Sequence, residues 1–195
     1  MNIEVCIIDN NQYQIAKSIF SDCPDFIIIK KSITEASHPV IVAAGNSFGE
    51  MNGGVDRYIN YHLSLHTPDK YIQSDVKNVI NNKFYGELPV GQSIIVSTSH
   101  PFHKFLIYTP TMRVAEDVHD SLNAYLAFRS AIVLAMNCNI RGLSTPLFCT
   151  GAGFMNVSMA CKQMKEAYIS VANKTLSGGD WKTFHEHHRY LKNLR

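Results

Sequence analysis

Short runs of β-branched and aromatic residues recur along the chain at Ile3–Ile8, Phe26–Ile29, Pro39–Ala44, Ser93–Ser97 and Phe105–Tyr108, with a weaker run at Arg141–Thr145. Each has the length and composition of a strand. Between them apolar positions recur at helical spacing. The clearest case covers about Asn156–Asn173, where Val157, Ala160, Cys161, Met164, Ala167, Tyr168 and Val171 form one stripe and Asn156 suits the N-cap. A second helix is expected over about Asp120–Asn137, with Leu122, Tyr125, Leu126, Ile132, Val133 and Met136 inward. Two more are expected at Val55–His66 and Pro68–Phe84, Pro68 being suited to a first helical turn. In the terminal segment 179–195, Trp181, Phe184, His188 and Leu191 share one helical face, which predicts an amphipathic helix packed on the domain. His187, Arg189, Lys192 and Arg195 would form its basic outer edge. Strands alternating with helices imply an α/β domain whose sheet is covered on both faces. Ligands in such folds bind where strands end and loops turn into helices.

Composition narrows the field. The 195 residues suit one domain, and 46% hydrophobic against 17% charged residues supports a packed core. The net charge of +2 comes with no concentrated basic excess, so nucleic acid is not the expected main partner. Five cysteines form no CxxC pair and no metal-finger spacing, as expected of reduced thiols in a cytoplasmic protein. No apolar run approaches the ~20 residues that span a bilayer, and no membrane partner is expected.

Two segments carry the candidate chemistry. The first, residues 43–56 (AAGNSFGEMNGGVD), follows an apolar strand and leads into a helix. Its glycines let the backbone approach a ligand, and the helix that follows points free N–H groups and partial positive charge back into the loop. The second, residues 144–156 (STPLFCTGAGFMN), again joins a strand end to a helix start through a glycine pair. Gly151 and Gly153 make half of a GxGxxG pattern. Only about forty residues follow, all of helical character, so no acidic ribose reader is in place and a dehydrogenase unit is not indicated. No P-loop lysine follows either loop, which argues against a nucleoside triphosphatase. Two such loops in one domain suggest a ligand with a diphosphate and sugars held between them.

These residues resemble a macro domain, the ADP-ribose-binding fold, across roughly Phe26 to Tyr168. VIVAAGNSFGEMNGGVD resembles the family's IVNAAN…GGGV(D) segment, KSIT (31–34) its GDIT turn, and PLFCTGAGF with the following helix its second ligand loop. GELPVGQ (86–92) and TPTMR (109–113) resemble motifs of a microbial branch carrying NSFG-x-M-x-GGVD. The resemblance implies a three-layer α/β/α fold around a mixed, mostly parallel sheet of about six strands. It implies ADP-ribose or an ADP-ribosylated protein as partner; no cofactor is expected, and the nine histidines, among which FHEHHRYLKNLR lacks HExxH spacing, predict no metal site. By the resemblance Ile33 lines the adenine pocket beside Ser32, and Asn46 bonds the distal ribose next to Ala44 and Gly45. Gly53, Gly54 and Val55 wrap the diphosphate from one side, and Thr150, Gly151, Ala152, Gly153 and Phe154 close from the other. Asp56 matches the catalytic Asp of hydrolases of the MacroD type.

The chain departs from that pattern at Ser32 in place of the GDIT Asp, at Ala43 in place of the first Asn of NAAN, and at Asn52 in the three-glycine run. Asp56 would orient or deprotonate a water, and Asn46 would fix the ribose, or Asp56 simply meets a helix dipole. The expectation is therefore a mono-ADP-ribosyl hydrolase. The alternatives are a module that binds ADP-ribose or a related nucleotide without turnover, and an ADP-ribose 1″-phosphate phosphatase. Arg113 either contacts the diphosphate or pairs with Glu116 or Asp117. Cys149 is expected to pack at a strand end, and His100 and His103 to be turn residues.

Overall fold

The computed structural model describes residues 1–65 and 71–194. Six strands, β1 (Asn2–Cys6), β2 (Phe26–Ile29), β3 (Val40–Asn46), β4 (Ile94–Ser97), β5 (Phe105–Met112) and β6 (Gly142–Thr145), form one sheet in the order β2-β1-β6-β3-β5-β4. All neighbours run parallel except the antiparallel β4–β5 edge pair. The helices are α1 (Asn10–Ile19), α2 (Gly54–Ser64), α3 (Ile72–Phe84), α4 (Asn123–Asn137), α5 (Val157–Ala172) and α6 (Trp181–Lys192). None of the described helices is long and apolar enough to cross a membrane.

The period-two alternation of the strands splits the core in two. Val40 and Val42 of β3 and Ile107 of β5 join α1, α4 and α5 on one face. Ile41 and Ala43, with Leu106 and Tyr108, join α2 and α3 on the other. This is the expected three-layer arrangement. The central strands are buried on both sides, and their C-terminal ends deliver both glycine loops to one edge of the sheet.

Several elements differ from expectation for identifiable reasons. The helix α1 was not foreseen, because only Ala16 within it is fully buried. On α4 the expected Tyr125 and Ile132 are buried, joined by Ala124, Ala127, Phe128, Ala131 and Ala135, whereas Leu126 is exposed. Four alanines let this helix lie close to the sheet, so small residues share its buried face with Tyr125, Phe128 and Ile132. The predicted face of α6 is likewise rotated. Trp181, Phe184 and His188 are exposed, while Leu191 and Leu194 are buried and His187 Nε2 lies 3.2 Å from Glu166 Oε1. The supposed outer residue His187 thus faces the domain, and Arg195 lies outside the described residues. So do His66 and Pro68, the expected end and start of the helices now bounded by Ser64 and Ile72.

Candidate functional site

At the C-terminal end of β3 the strand breaks register between Gly45 and Asn46. The buried Tyr108 hydroxyl fixes this bulge, donating to the Asn46 carbonyl and accepting from the Asn46 N–H, both at 2.9 Å. A Cβ at position 45 would lie 2.1 Å from that hydroxyl, so only glycine admits the tyrosine here. Beyond the bulge, Asn46 folds the loop on itself. Its Oδ1 accepts from the N–H groups of Phe48 (3.1 Å) and Glu50 (3.3 Å), and its Nδ2 donates to the Glu50 carbonyl at 2.8 Å. One side-chain N–H is left for a ligand, and most of the amide serves the loop.

The loop leads into α2 through Gly53. The first helical bond of this turn is Arg57 N–H to the Gly53 carbonyl at 3.2 Å, and no side chain caps the helix. The N–H groups of Gly54, Val55 and Asp56 are therefore the orphan donors of a helix start. Across the cleft, the turn after β6 closes through Phe154 N–H to Gly151 and Met155 N–H to Cys149, both at 3.0 Å. Gly153 is pinned there because a Cβ would meet the Cys149 carbonyl at 2.7 Å. Among the described residues, none of the N–H groups of Thr150, Gly151, Ala152 and Gly153 donates to a protein acceptor. Two sets of unspent backbone donors thus face one cleft, an anion-binding arrangement that needs no basic side chain.

The cleft has two lobes. One, about 220 Å³, is lined by Ala44, Gly45, Asn46, Gly53, Gly54, Asp56, Gly151, Ala152 and Gly153 among others. The other, about 390 Å³ and more apolar, is lined by Ile7, Ile8, Asp9, Lys31, Ser32, Ile33, Tyr58 and Thr150 among others. Val55, Leu147 and Gly151 belong to both lobes and form the saddle between them.

In the smaller lobe Asp56 is buried beside Ile59 and Leu63 on the inner stripe of α2. Its Oδ1 has no hydrogen-bond partner among the described residues. Burial pushes this carboxyl up to about 7. Cys149 also lines this lobe, and burial raises its thiol to about 12, which fits packing and not a nucleophile. Beneath the larger lobe, Glu4 is buried. Burial alone would raise its carboxyl, but bonds from Lys31 Nζ (2.7 Å), Ser144 Oγ (2.5 Å) and the Ser37 N–H (2.7 Å) outweigh this and hold it at about 2. Lys31 is thereby fixed at the lobe wall.

Of the residues expected at the site, only Phe154 lies apart. It is exposed and lines neither lobe. Ser32 is present, but its hydroxyl caps the short turn Ile33–Glu35, bonding Thr34 N–H at 3.3 Å and Thr34 Oγ1 at 2.8 Å. Arg113 pairs with Glu87, at 2.8 and 3.0 Å, and not with Glu116, Asp117 or the cleft. The sequence reading missed Tyr108, Asp9 and Tyr58. Tyr108 lies in a different strand from the loop it holds. Asp9 had a signal, since an Asp before an unassigned polar segment is an N-cap pattern.

The Macro domain family model matches residues 42–164, more than half of the chain and both glycine loops. The chain belongs to the macro domain family. No curated protein matches this macro domain in a direct sequence comparison. Among solved structures, a single-residue mutant of the Oceanobacillus iheyensis macrodomain with ADPR is 22% identical, covering 82% of this chain and 89% of its own, with a TM-score of 0.59. The macrodomain of Mycobacterium tuberculosis DarG is 16% identical over 71% of this chain and 86% of its own, with a TM-score of 0.58. That of Thermus aquaticus DarG is 13% identical over 86% and 91%, with a TM-score of 0.58. At these identities the likeness establishes the fold.

Proposed function

We propose that this macro domain binds ADP-ribose, free or attached to a protein, and hydrolyses the mono-ADP-ribosyl linkage at the distal ribose. The observation that carries the reading is the buried carboxylate of Asp56 beside two sets of unspent backbone N–H groups at the saddle of a two-lobed cleft. The diphosphate takes the saddle, where Val55 and Gly151 meet it from opposite sides. Adenosine takes the larger, more apolar lobe, with Ile33 and Tyr58 offering apolar surface and the exposed Asp9 carboxylate supplying an acceptor that Ser32 does not. The distal ribose then lies with Asp56 in the smaller lobe.

A carboxyl near pH 7 is matched to general-base work at neutral pH, where such help is worth roughly 10²–10⁴-fold. Asp56 takes a proton from water as it attacks the anomeric carbon, and that C–O or C–N bond breaks toward the protein side chain. Turnover is expected to rise with pH through an apparent pKa near 7. Asp56→Ala should leave the ADP-ribose Kd within a few-fold while abolishing release of mono-ADP-ribose from a modified protein. Equal loss of binding and turnover would assign Asp56 a structural role instead. One observation favours the non-catalytic module: Asn46 spends most of its amide on its own loop. Binding without turnover in the unmodified chain would establish that reading.

A further inference from the structure

At the opposite end of α2 from Asp56, three imidazoles converge. His62 lies in the last turn of α2, and His100 and His103 lie in the connection between β4 and β5. His100 and His103 are buried, and His62 is half-buried. The ring centroids of the three are 4.4–5.0 Å apart, and one nitrogen from each falls within 4.8 Å of the others. Among the described residues this is the one group of three or more His, Cys, Asp or Glu side chains so arranged.

The orientation of His103 is that of a metal ligand. Its Nε2 sits 3.1 Å from the Ala36 carbonyl, which only a protonated nitrogen can approach as a donor, so Nδ1 carries the lone pair. A backbone carbonyl holding the far nitrogen of a coordinating imidazole is the usual supporting contact of such sites. That lone pair accepts a hydrogen bond from His62 Nε2–H at 2.9 Å, and an ion entering here takes the place of that proton. Two nitrogens on one tetrahedral zinc ion, each at 2.0–2.1 Å, stand about 3.3 Å apart, so the His62 and His103 rings must part slightly and turn toward the ion, and the cluster, whose nitrogens lie within 4.8 Å of one another, must draw in around it. His100 Nδ1 accepts the N–H groups of Phe102 (3.2 Å) and His103 (3.0 Å) and must exchange these bonds, or turn its ring over, to coordinate.

We propose that His62, His100 and His103 bind a single divalent transition-metal ion of the zinc class, which clamps the C-terminal turn of α2 to the β4–β5 connection. An all-imidazole donor set suits zinc, nickel, copper or cobalt and not magnesium or calcium. Three protein ligands leave a fourth tetrahedral position to water or a further donor. The ion is structural and independent of the nucleotide cleft.

The test is calorimetric titration of the chelator-treated full chain with Zn²⁺, together with its visible spectrum in Co²⁺. One equivalent should bind, raise Tm, and in Co²⁺ give the intense bands of a four-coordinate site. His62→Gln and His103→Gln should each weaken binding at least as much as the ~10–100-fold that loss of a supporting partner typically costs. The surface double variant His185→Gln/His188→Gln should bind as the parent does. Binding lost in the surface variant but kept in His103→Gln would overturn the proposal, as would no saturable binding at all. If the cluster variants do not fold, the Co²⁺ spectrum of the parent decides, and weak octahedral bands would overturn it.

Discussion

Asp56 stands in the first turn of α2, where a carboxylate ordinarily gains about 0.3–1 kcal/mol from the helix dipole. Burial reverses that gain. A carboxyl raised from 3.8 to about 7 keeps its proton in the folded chain after the unfolded chain has lost it. The folded state therefore binds more protons between about pH 4 and pH 7, and stability falls across that window by at most about 4 kcal/mol. Asp56→Asn mimics the protonated form, so its Tm should match the parent near pH 4 and exceed it above pH 7. An equal Tm difference at both pH values would remove burial as the cause. Gly45→Ala tests the opposite kind of constraint. Its Cβ would fall 2.1 Å from the Tyr108 hydroxyl, and overpacking of this sort costs about 1–3 kcal/mol. Urea denaturation should show that loss, and an unchanged midpoint would mean that Tyr108 swings aside.

Elements were legible in proportion to how directly their side chains announce burial. β2 matches its predicted limits, Phe26–Ile29, because every residue in it is apolar. β5 runs on to Met112 past the expected end at Tyr108, since Thr109, Pro110 and Thr111 interrupt the apolar pattern while remaining buried. β4 stops pairing at Tyr108, so Pro110 needs no donor on that side. Thr109 Oγ1 bonds the Ala127 carbonyl at 3.2 Å, and Thr111 Oγ1 bonds that of Gly45 at 3.2 Å. Such satisfaction is tertiary and leaves no local trace. Both glycine loops, by contrast, were readable, because close approach and helix starts are local. The buried stripe of α2 includes Asp56 with Ile59 and Leu63, a charge on an apolar face. For α6, Leu191 is the main buried anchor within the helix. Leu191→Ala should cost about 2 kcal/mol and speed amide exchange in α6 before the rest of the chain, and uniform exchange would show that α6 unfolds only with the domain.

Over the whole molecule, the sheet is a platform whose parallel strands β1, β6 and β3 present their C-terminal ends, and the loops that follow, to one cleft. A ligand spanning both lobes couples to global stability. Saturation with ADP-ribose at 100 times Kd adds ~2.7 kcal/mol, or roughly 5–10 °C in Tm for a domain of this size. AMP, which reaches one lobe and half of the saddle, should give much less. Equal shifts with both would show that the smaller lobe takes no part in binding.

The donors that face the saddle belong to the main chain from Thr150 to Gly153 and at the start of α2. No substitution short of proline, which also fixes φ, removes a peptide N–H. Alanine scanning of Thr150 or Val55 would therefore register little, and drift in these side chains would leave the anion contacts intact as long as the turns kept their shape. Replacing single amides by esters in a semisynthetic chain would expose contacts that mutation leaves hidden. What is inherited at such a site is a curve of the backbone, and only the glycines that permit the curve leave a mark in the sequence.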